Sequence, residues 1–161
     1  MKILLKYLFI VSISFWLGSI FFFSSITAPS VFSTLSKPLS GVLISVIFDK
    51  YYILQYILAA VSAISVLMLI FVEKQKNNKL RIIRLTIISI MLAMTLFSGT
   101  FIRSSALEAK TVMKNSEPGS AAYIGSDKIF KRSHRNSVII NGLVFLMGMV
   151  ILFSIAKNND I

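Results

Sequence analysis

Between Lys6 and Lys37 the chain reads YLFIVSISFWLGSIFFFSSITAPSVFSTLS, residues 7–36, without a single Lys, Arg, His, Asp or Glu. About 20 apolar residues, rising roughly 1.5 Å each as an α-helix, are enough to cross the roughly 30 Å hydrocarbon core of a bilayer. An uncharged run of this length is therefore typical of a membrane-spanning helix, and it indicates that lipid rather than water surrounds this part of the protein.

The start of this run also resembles a secretory signal peptide, because Lys2 and Lys6 precede an apolar stretch. The stretch from Tyr7 to Ala28 is, however, longer than the roughly 7–15 residues of a signal-peptide core, and Pro29 occupies the position after a cleavage at Ala28. We therefore predict a retained first helix over residues 7–28. Pro29 is expected to end it, since proline lacks the amide hydrogen and clashes with the preceding turn.

Three further apolar runs follow, at residues 51–72, 85–102 and 137–156. Hydrophobic residues make up 56% of the 161-residue chain and charged residues only 14%, against about 25% in an ordinary soluble domain. A soluble protein of this size has too little interior to bury so much apolar surface. The sequence thus predicts an all-α protein, a four-helix transmembrane bundle that forms a single domain over residues 1–161.

Two segments outside these spans are also predicted to be helical. Pro38–Phe48 is apolar but too short to cross the membrane, so we expect a short interfacial helix before the second span. Good helix formers follow the third span, and Glu117–Ser120 then interrupts them. The link between the third and fourth spans is therefore predicted to form a helical hairpin, with Ser126 capping the helix that enters the fourth span.

The net charge of +11 does not indicate a nucleic-acid partner, because the basic residues lie between the apolar runs rather than along one amphipathic face. They are expected to contact anionic lipid headgroups. The link at 73–84 contains five basic residues and one acidic residue, whereas the longer link at 103–136 contains seven and three. The denser link is expected on the cytoplasmic side, which places both termini in the cytoplasm as well. We expect the chain in a bacterial inner or plasma membrane.

One polar stripe is predicted at the start of the fourth helix. His134, Ser137 and Asn141 lie three and seven residues apart, within an arc of roughly 60°, and Phe130 lies on the same side. Lipid offers no hydrogen bonds, so this stripe should face protein or water. Three interpretations remain open. Ser137 and Asn141 hydrogen bond a neighbouring helix, His134 serves as a metal ligand or proton-relay group, or His134 lies exposed at the interface.

Four other residues are candidates for a specific role. Arg103 ends the third span, where it either extends to lipid headgroups or holds an anion close to the polar stripe. Ser14 and Gly18 have the spacing of two small residues at which helices pack closely, and Gly148 permits a similar approach on the fourth helix. The sequence therefore predicts helix packing at Ser14, Gly18 and Gly148.

Recognisable catalytic chemistry is scarce. The chain has no cysteine and one histidine, and all six acidic residues lie outside the four spans. No catalytic triad, paired intramembrane carboxylates or glycine-rich phosphate loop occurs, so we expect no enzymatic activity and no cofactor. Methionines in the third and fourth helices are possible Cu(I) ligands but are more commonly core residues. A haem between two histidines is excluded by the single histidine, which leaves only His/Met ligation.

Several short motifs resemble a known family. They are Trp16–Gly18, Ala28–Phe32, FDKYY at Phe48–Tyr52, and the F-x3-H-x2-S-x3-N pattern of Phe130, His134, Ser137 and Asn141. In this order they resemble the transmembrane protein 205-like family, domain of unknown function 4149, which is distantly similar to copper-resistance membrane proteins. The resemblance implies a four-helix membrane fold with no established activity, and it suggests a role with metals or small solutes.

These observations lead to two main hypotheses for function. In the first, the protein is a structural or accessory subunit of a membrane assembly, which binds a second copy of itself or another membrane protein. In the second, it transports or confers tolerance to a metal ion or small solute, using His134, Asn141 and Arg103. A third class, a haem redox protein, predicts a coloured preparation.

Overall fold

The computed structural model describes residues 1–72 and 78–158, apart from the side chains of Lys37, Pro38, Asn78 and Asn158. This part of the chain consists mainly of six α-helices and two short π-helical segments. The π-helical segments are Phe23–Thr27 and Ser98–Ile102. The α-helices are α1 (Lys2–Phe22), α2 (Ala28–Thr34), α3 (Lys37–Val72), α4 (Asn78–Phe97), α5 (Arg103–Asn115) and α6 (Ala121–Asn158). No strand occurs among these residues. The predicted all-α class is therefore confirmed.

Four continuous helical stretches are long and apolar enough to cross a membrane: Lys2–Thr34, Leu39–Val72, Lys79–Asn115 and Ala121–Lys157. Their most apolar windows have mean hydropathies between 1.9 and 2.6. Each contains one of the four spans expected from the sequence. The chain is thus an integral membrane protein with the four long helices of a four-helix bundle.

The sequence predicted that the first helix ends at Pro29. This prediction is wrong, because the helix continues to Thr34. The π-helical segment Phe23–Thr27 explains the difference. Within it the backbone N–H of Ala28 donates to the carbonyl oxygen of Phe23, five residues earlier. This wider turn lies directly before the proline, where an α-helical turn would bring the proline ring against a carbonyl. Pro29 then occupies the first turn of α2, where its missing N–H costs little.

The connection between α2 and α3 is tight. Leu35 adopts an extended backbone at the end of α2, and α3 begins at Lys37. The buried hydroxyl of Ser40 lies within hydrogen-bonding distance of three carbonyl oxygens, those of Val31, Leu35 and Ser36, at 3.0–3.2 Å. It therefore satisfies the end of α2 from the first turn of α3.

The predicted interfacial segment Pro38–Phe48 is helical, but it is continuous with the second span rather than a separate helix. At about 1.5 Å per residue, the 36 residues of α3 extend about 54 Å, well beyond the roughly 30 Å hydrocarbon thickness. The first turns of α3 therefore have room to lie outside the hydrocarbon core without a break in the helix.

The chain divides into two compact units, and unit 1 comprises Met1–Leu92 and Phe145–Ile161. Its principal contact is between α1 and α3. The buried face of α1 repeats every three or four residues, as expected of one helical stripe, at Phe9, Ser12, Ile13, Trp16, Leu17 and Ile20. The facing residues of α3 include Gln55, Ala59, Ser62 and Val66, which are also buried.

Unit 2, Ala93–Val144, contains the predicted helical hairpin. α5 ends at Asn115, and the turn to α6 contains Gly119, whose φ of 87° favours glycine. The Ser120 hydroxyl accepts a hydrogen bond from the Tyr123 N–H at 3.2 Å, so Ser120 caps α6. The prediction that Ser126 is the cap is wrong, because α6 begins six residues earlier than the sequence suggested.

Candidate functional site

The contact between α1 and α3 contains hydrogen bonds deep within the apolar spans. Ser12 of α1 and Ser62 of α3 are both buried, and their hydroxyl oxygens lie 2.7 Å apart. The Ser12 hydroxyl also lies 3.1 Å from the carbonyl oxygen of Phe9, which accepts from it. Because lipid cannot replace these bonds, the serine pair ties the two helices at one level.

A second polar group lies on the same contact. The indole N–H of Trp16 donates to the side-chain carbonyl of Gln55, and the Gln55 amide donates to the Ser19 hydroxyl at 2.9 Å. Ser19 in turn donates to the backbone carbonyl of Trp16 at 2.7 Å. Trp16 and Gln55 are essentially inaccessible. We call Trp16, Ser19 and Gln55 the α1–α3 polar triad, and its groups satisfy one another.

An aromatic cluster adjoins this contact in unit 1. The Phe23 ring lies between those of Phe48 and Tyr51, with centroids at 4.8 and 4.7 Å, and Tyr52 packs against both. The hydroxyl of Tyr51 is buried and has no hydrogen-bond partner among the described residues. The rings fill the space between the end of α1 and the middle of α3. Their role is packing.

Two arginines at the start of α4 are more deeply buried than the sequence suggested. Arg81 and Arg84 are only 4% and 3% exposed. The Arg84 guanidinium donates to the Ser154 hydroxyl of α6 at 3.1 and 3.3 Å and to its backbone carbonyl at 3.0 Å. Arg84 therefore joins the start of α4 to the end of α6. Part of the basic link used to predict orientation, residues 73–77, lies outside the described residues.

The predicted stripe at the start of the fourth helix is only partly buried. His134 is exposed, Ser137 is half-buried, and Asn141 is buried with 8% of its surface exposed. The hydroxyl oxygens of Ser137 and Ser98 lie 3.3 Å apart, so Ser137 contacts the π-helical segment that follows α4. The three residues thus run from the exposed to the buried part of α6.

Arg103 is half-buried at the start of α5 and is not without an interaction partner. On α6 the Asp127 carboxylate contacts the Lys131 ammonium at 2.6 Å and raises the pKa of that lysine. In the part of the chain that the structure describes, no three His, Cys, Asp or Glu side chains are grouped so that they would hold a metal ion.

The residues predicted to pack helices have different positions. At Gly148 an added Cβ would overlap the Leu17 side chain, with the Leu17 Cγ at 3.0 Å, so the glycine permits a close contact between α6 and α1. Ser14 is exposed, and an added Cβ at Gly18 would meet nothing within 4 Å. Among the described residues, Ser14 and Gly18 therefore lie outside the buried stripe of α1, which contains Ile13 and Trp16.

Sequence reasoning missed the α1–α3 polar triad. The available signal was Gln55, which is the strongly polar residue of the second span and so needs a hydrogen-bond partner in lipid. Its partner is the indole N–H of Trp16, a donor carried by a residue whose bulk is apolar. No rule of spacing links the two, because they are thirty-nine residues apart on different helices.

Comparison with known proteins gives a family match. The sequence profile described as Domain of unknown function (DUF4149) matches residues 11–115. This range contains most of α1, all of α2 to α5 and the α1–α3 polar triad, whereas His134, Ser137 and Asn141 lie beyond it. Neither the curated proteins nor the solved structures provide a match.

Proposed function

The chain belongs to the DUF4149 family of unknown function, and we propose that it is a non-enzymatic structural or accessory subunit of a membrane assembly. Its partner is a helix of a second copy or of another membrane protein. The proposal rests above all on one observation, which is that no described residue of the chain covers the small-residue face of α1 formed by Ser14 and Gly18.

Small residues four positions apart let two helix backbones approach closely in a membrane, where van der Waals contact drives association. α1 already packs against α3 through Trp16 and its neighbours, so its position is set by the chain itself. The Ser14–Gly18 face is then presented on a well-supported helix. Because none of the described residues covers this face, another helix can dock there.

The distribution of polar groups supports the same proposal. The α1–α3 polar triad uses its donors and acceptors internally, which leaves little chemistry for a substrate. The most apolar windows of the third and fourth long helices are only 22% buried, against 39% and 33% for the first two. Much of their surface is therefore available to lipid or to a partner protein.

The test compares two exposed glycines, Gly18 and Gly142. An added Cβ would meet nothing within 4 Å at either position. Gly18→Ile is expected to reduce recovery of the oligomer or complex in mild detergent about tenfold, because the branched side chain separates the two helices. Gly142→Ile serves as the matched control and should leave recovery unchanged. Mass measurement in detergent and cross-linking in membranes provide the readouts.

Equal recovery of the wild type and Gly18→Ile, with both variants folded, would reject this docking face. A single monomeric species in both detergent and cross-linked membranes would reject the accessory role itself. Helical content and thermal unfolding identify any variant that has lost its fold.

Metal-ion or small-solute transport is the alternative. It is supported by the resemblance of the sequence motifs to the transmembrane protein 205-like family, which is distantly similar to copper-resistance membrane proteins. The buried Asn141 and the Ser98–Ser137 contact within a span also support it. On this alternative, His134, Asn141 and Arg103 contact the solute. Its signature is a variant such as His134→Ala that folds and inserts normally but loses flux or metal tolerance.

We further propose that the chain lies in a bacterial inner or plasma membrane with both termini in the cytoplasm, an orientation that the charge pattern supports. Since the chain has no cysteine, single cysteines report the topology directly. Asn115→Cys in the hairpin should react with a membrane-impermeant maleimide added to intact cells or spheroplasts. Lys79→Cys at the start of α4 should react only after the membrane is opened, and the reverse pattern would invert the orientation.

A further inference from the structure

A groove of about 340 Å³ lies in unit 2, between the end of the third span and the facing part of α6. Its apolar wall contains Phe97 and Phe101, one helical turn apart, whose ring centroids are 5.6 Å apart. These rings are 51% and 68% exposed. Ile129 of α6 belongs to the same lining and is also exposed. This part of the groove therefore offers an uncovered apolar surface.

The remaining wall of the groove is polar. Arg132 and Asn136 lie four residues apart on one face of α6, with Ser133 beside them, and Ser105 lines the groove from α5. Arg132 is exposed and Asn136 is half-buried. A guanidinium, an amide and two hydroxyls supply donors to a phosphate group. One groove thus combines an aromatic surface with a set of anion-binding donors.

The local charge favours an anion. Between residues 127 and 135 α6 carries four basic residues and one acidic residue. The acidic residue, Asp127, contacts Lys131 at 2.6 Å. A negatively charged group beside Arg132 is therefore attracted by the surrounding field as well as by direct contact.

The groove also lies where a membrane lipid would meet it. Phe97 and Phe101 fall in the apolar run that Arg103 ends, whereas Arg132 and Asn136 precede the fourth apolar run. Acyl chains and headgroups meet at this level of a bilayer, so one lipid can contact both walls, and a guanidinium beside the groove is suited to bind its phosphate. A soluble anion would leave the aromatic wall of the groove uncovered, and a lipid without net charge would leave the positive charge of Arg132 unneutralised.

We propose that this groove binds one anionic phospholipid, with its phosphate contacting Arg132 and Asn136 and an acyl chain lying along Phe97 and Phe101. The lipid covers the exposed aromatic rings and neutralises part of the basic charge on α6. The lipid site lies in unit 2, and its occupancy does not depend on whether the Ser14–Gly18 face of α1 binds a partner.

The test uses the purified full-length protein in detergent, mixed with equal amounts of dioleoyl phosphatidylglycerol and dioleoyl phosphatidylcholine. Native mass spectrometry should show one retained phosphatidylglycerol in preference to phosphatidylcholine. Arg132→Gln is expected to lower its retention about fivefold. Arg135→Gln is the matched control, because Arg135 is an exposed arginine of the same helix outside the groove.

Equal loss of retention in Arg132→Gln and Arg135→Gln would overturn the proposal, since it would indicate general surface charge rather than a site. Equal retention of the two lipids by the wild type would overturn it as well. Glycerol phosphate, which has the anion without acyl chains, should not displace the lipid at an equal concentration. Phe101→Ala should weaken lipid retention, while phosphatidylglycerol should still be retained in preference to phosphatidylcholine.

Discussion

In the contact between α1 and α3, the polar side chains are buried and hydrogen bond one another. Ser12 meets Ser62, and the α1–α3 polar triad closes on itself. In unit 2, by contrast, His134 and Arg132 are exposed, and the hydroxyls of Ser98 and Ser137 link α6 to the segment after α4.

This difference separates polar residues that hold helices together from those that remain available to other molecules. Removing one member of a closed buried set leaves the others without partners in a medium that cannot replace them. Removing an exposed side chain leaves no such penalty. We therefore expect substitutions in the α1–α3 contact to change stability, and substitutions at exposed positions of unit 2 to change binding.

The largest expected effect tests the packing of α1 on α3. Trp16→Ala removes a fully buried indole and should lower the free energy of unfolding by about 3–5 kcal/mol. Phe130→Ala in unit 2 removes a partly exposed ring and should cost less than about 1 kcal/mol. Denaturant titration in a fixed detergent provides both values, and similar losses would remove the contrast between the two regions.

The next effect tests the close contact at Gly148. Gly148→Leu should cost about 1–3 kcal/mol, because its side chain must displace Leu17. Gly142→Leu should leave the free energy of unfolding nearly unchanged, because a Cβ added at Gly142 would meet nothing within 4 Å. Adding Leu17→Ala to Gly148→Leu should recover part of the loss. A double variant as unstable as the sum of the two single variants would argue against direct overlap.

The third comparison is between a hydrogen bond of the α1–α3 polar triad and the Ser98–Ser137 contact of unit 2, and we expect a smaller difference in stability. Gln55→Ala leaves the buried indole N–H of Trp16 without its acceptor and should cost about 1–3 kcal/mol. Ser137→Ala removes a longer hydroxyl contact and should cost about 0.6 kcal/mol, an average value for such bonds in membranes. If the two substitutions lowered the free energy of unfolding equally, the α1–α3 polar triad would stabilise the fold no more than the Ser98–Ser137 contact.

The smallest expected effect is at His134. Since the side chain is exposed, His134→Ala should change the free energy of unfolding by less than about 0.5 kcal/mol. On the accessory-subunit proposal it should also leave the metal content of the purified protein unchanged, as measured by elemental analysis. A stoichiometric metal that disappears in this variant would favour the alternative of metal transport.

Much of the architecture was predictable because it depends on composition along the chain. Residues 7–36 lack charge, and three similar runs follow, so hydrocarbon length and backbone hydrogen bonding require four helices. The hairpin between the third and fourth spans also followed from local signals such as Gly119. The end of the first helix did not, because a π-helical turn before Pro29 depends on backbone adjustment that residue preference does not encode.

The candidate site was less predictable. The spacing of His134, Ser137 and Asn141 placed them on one side of a helix, yet how deeply each is buried depends on neighbouring helices. For the same reason, Ser14 and Gly18 had the right spacing for packing but lie on an exposed face of α1. Helical periodicity identifies a stripe, whereas its partner is chosen by contacts distant in sequence.

By itself, then, the sequence determined that this chain is a helical membrane protein, because apolar length and charge segregation act locally. Only the tertiary structure decided that Trp16 is the donor for Gln55, and that among the described residues Gly148 lies against a neighbouring helix while Gly18 does not. The physical reason is that hydrogen bonds and close packing join particular atoms on different helices, and their pairing follows from the rotation of each helix in the fold.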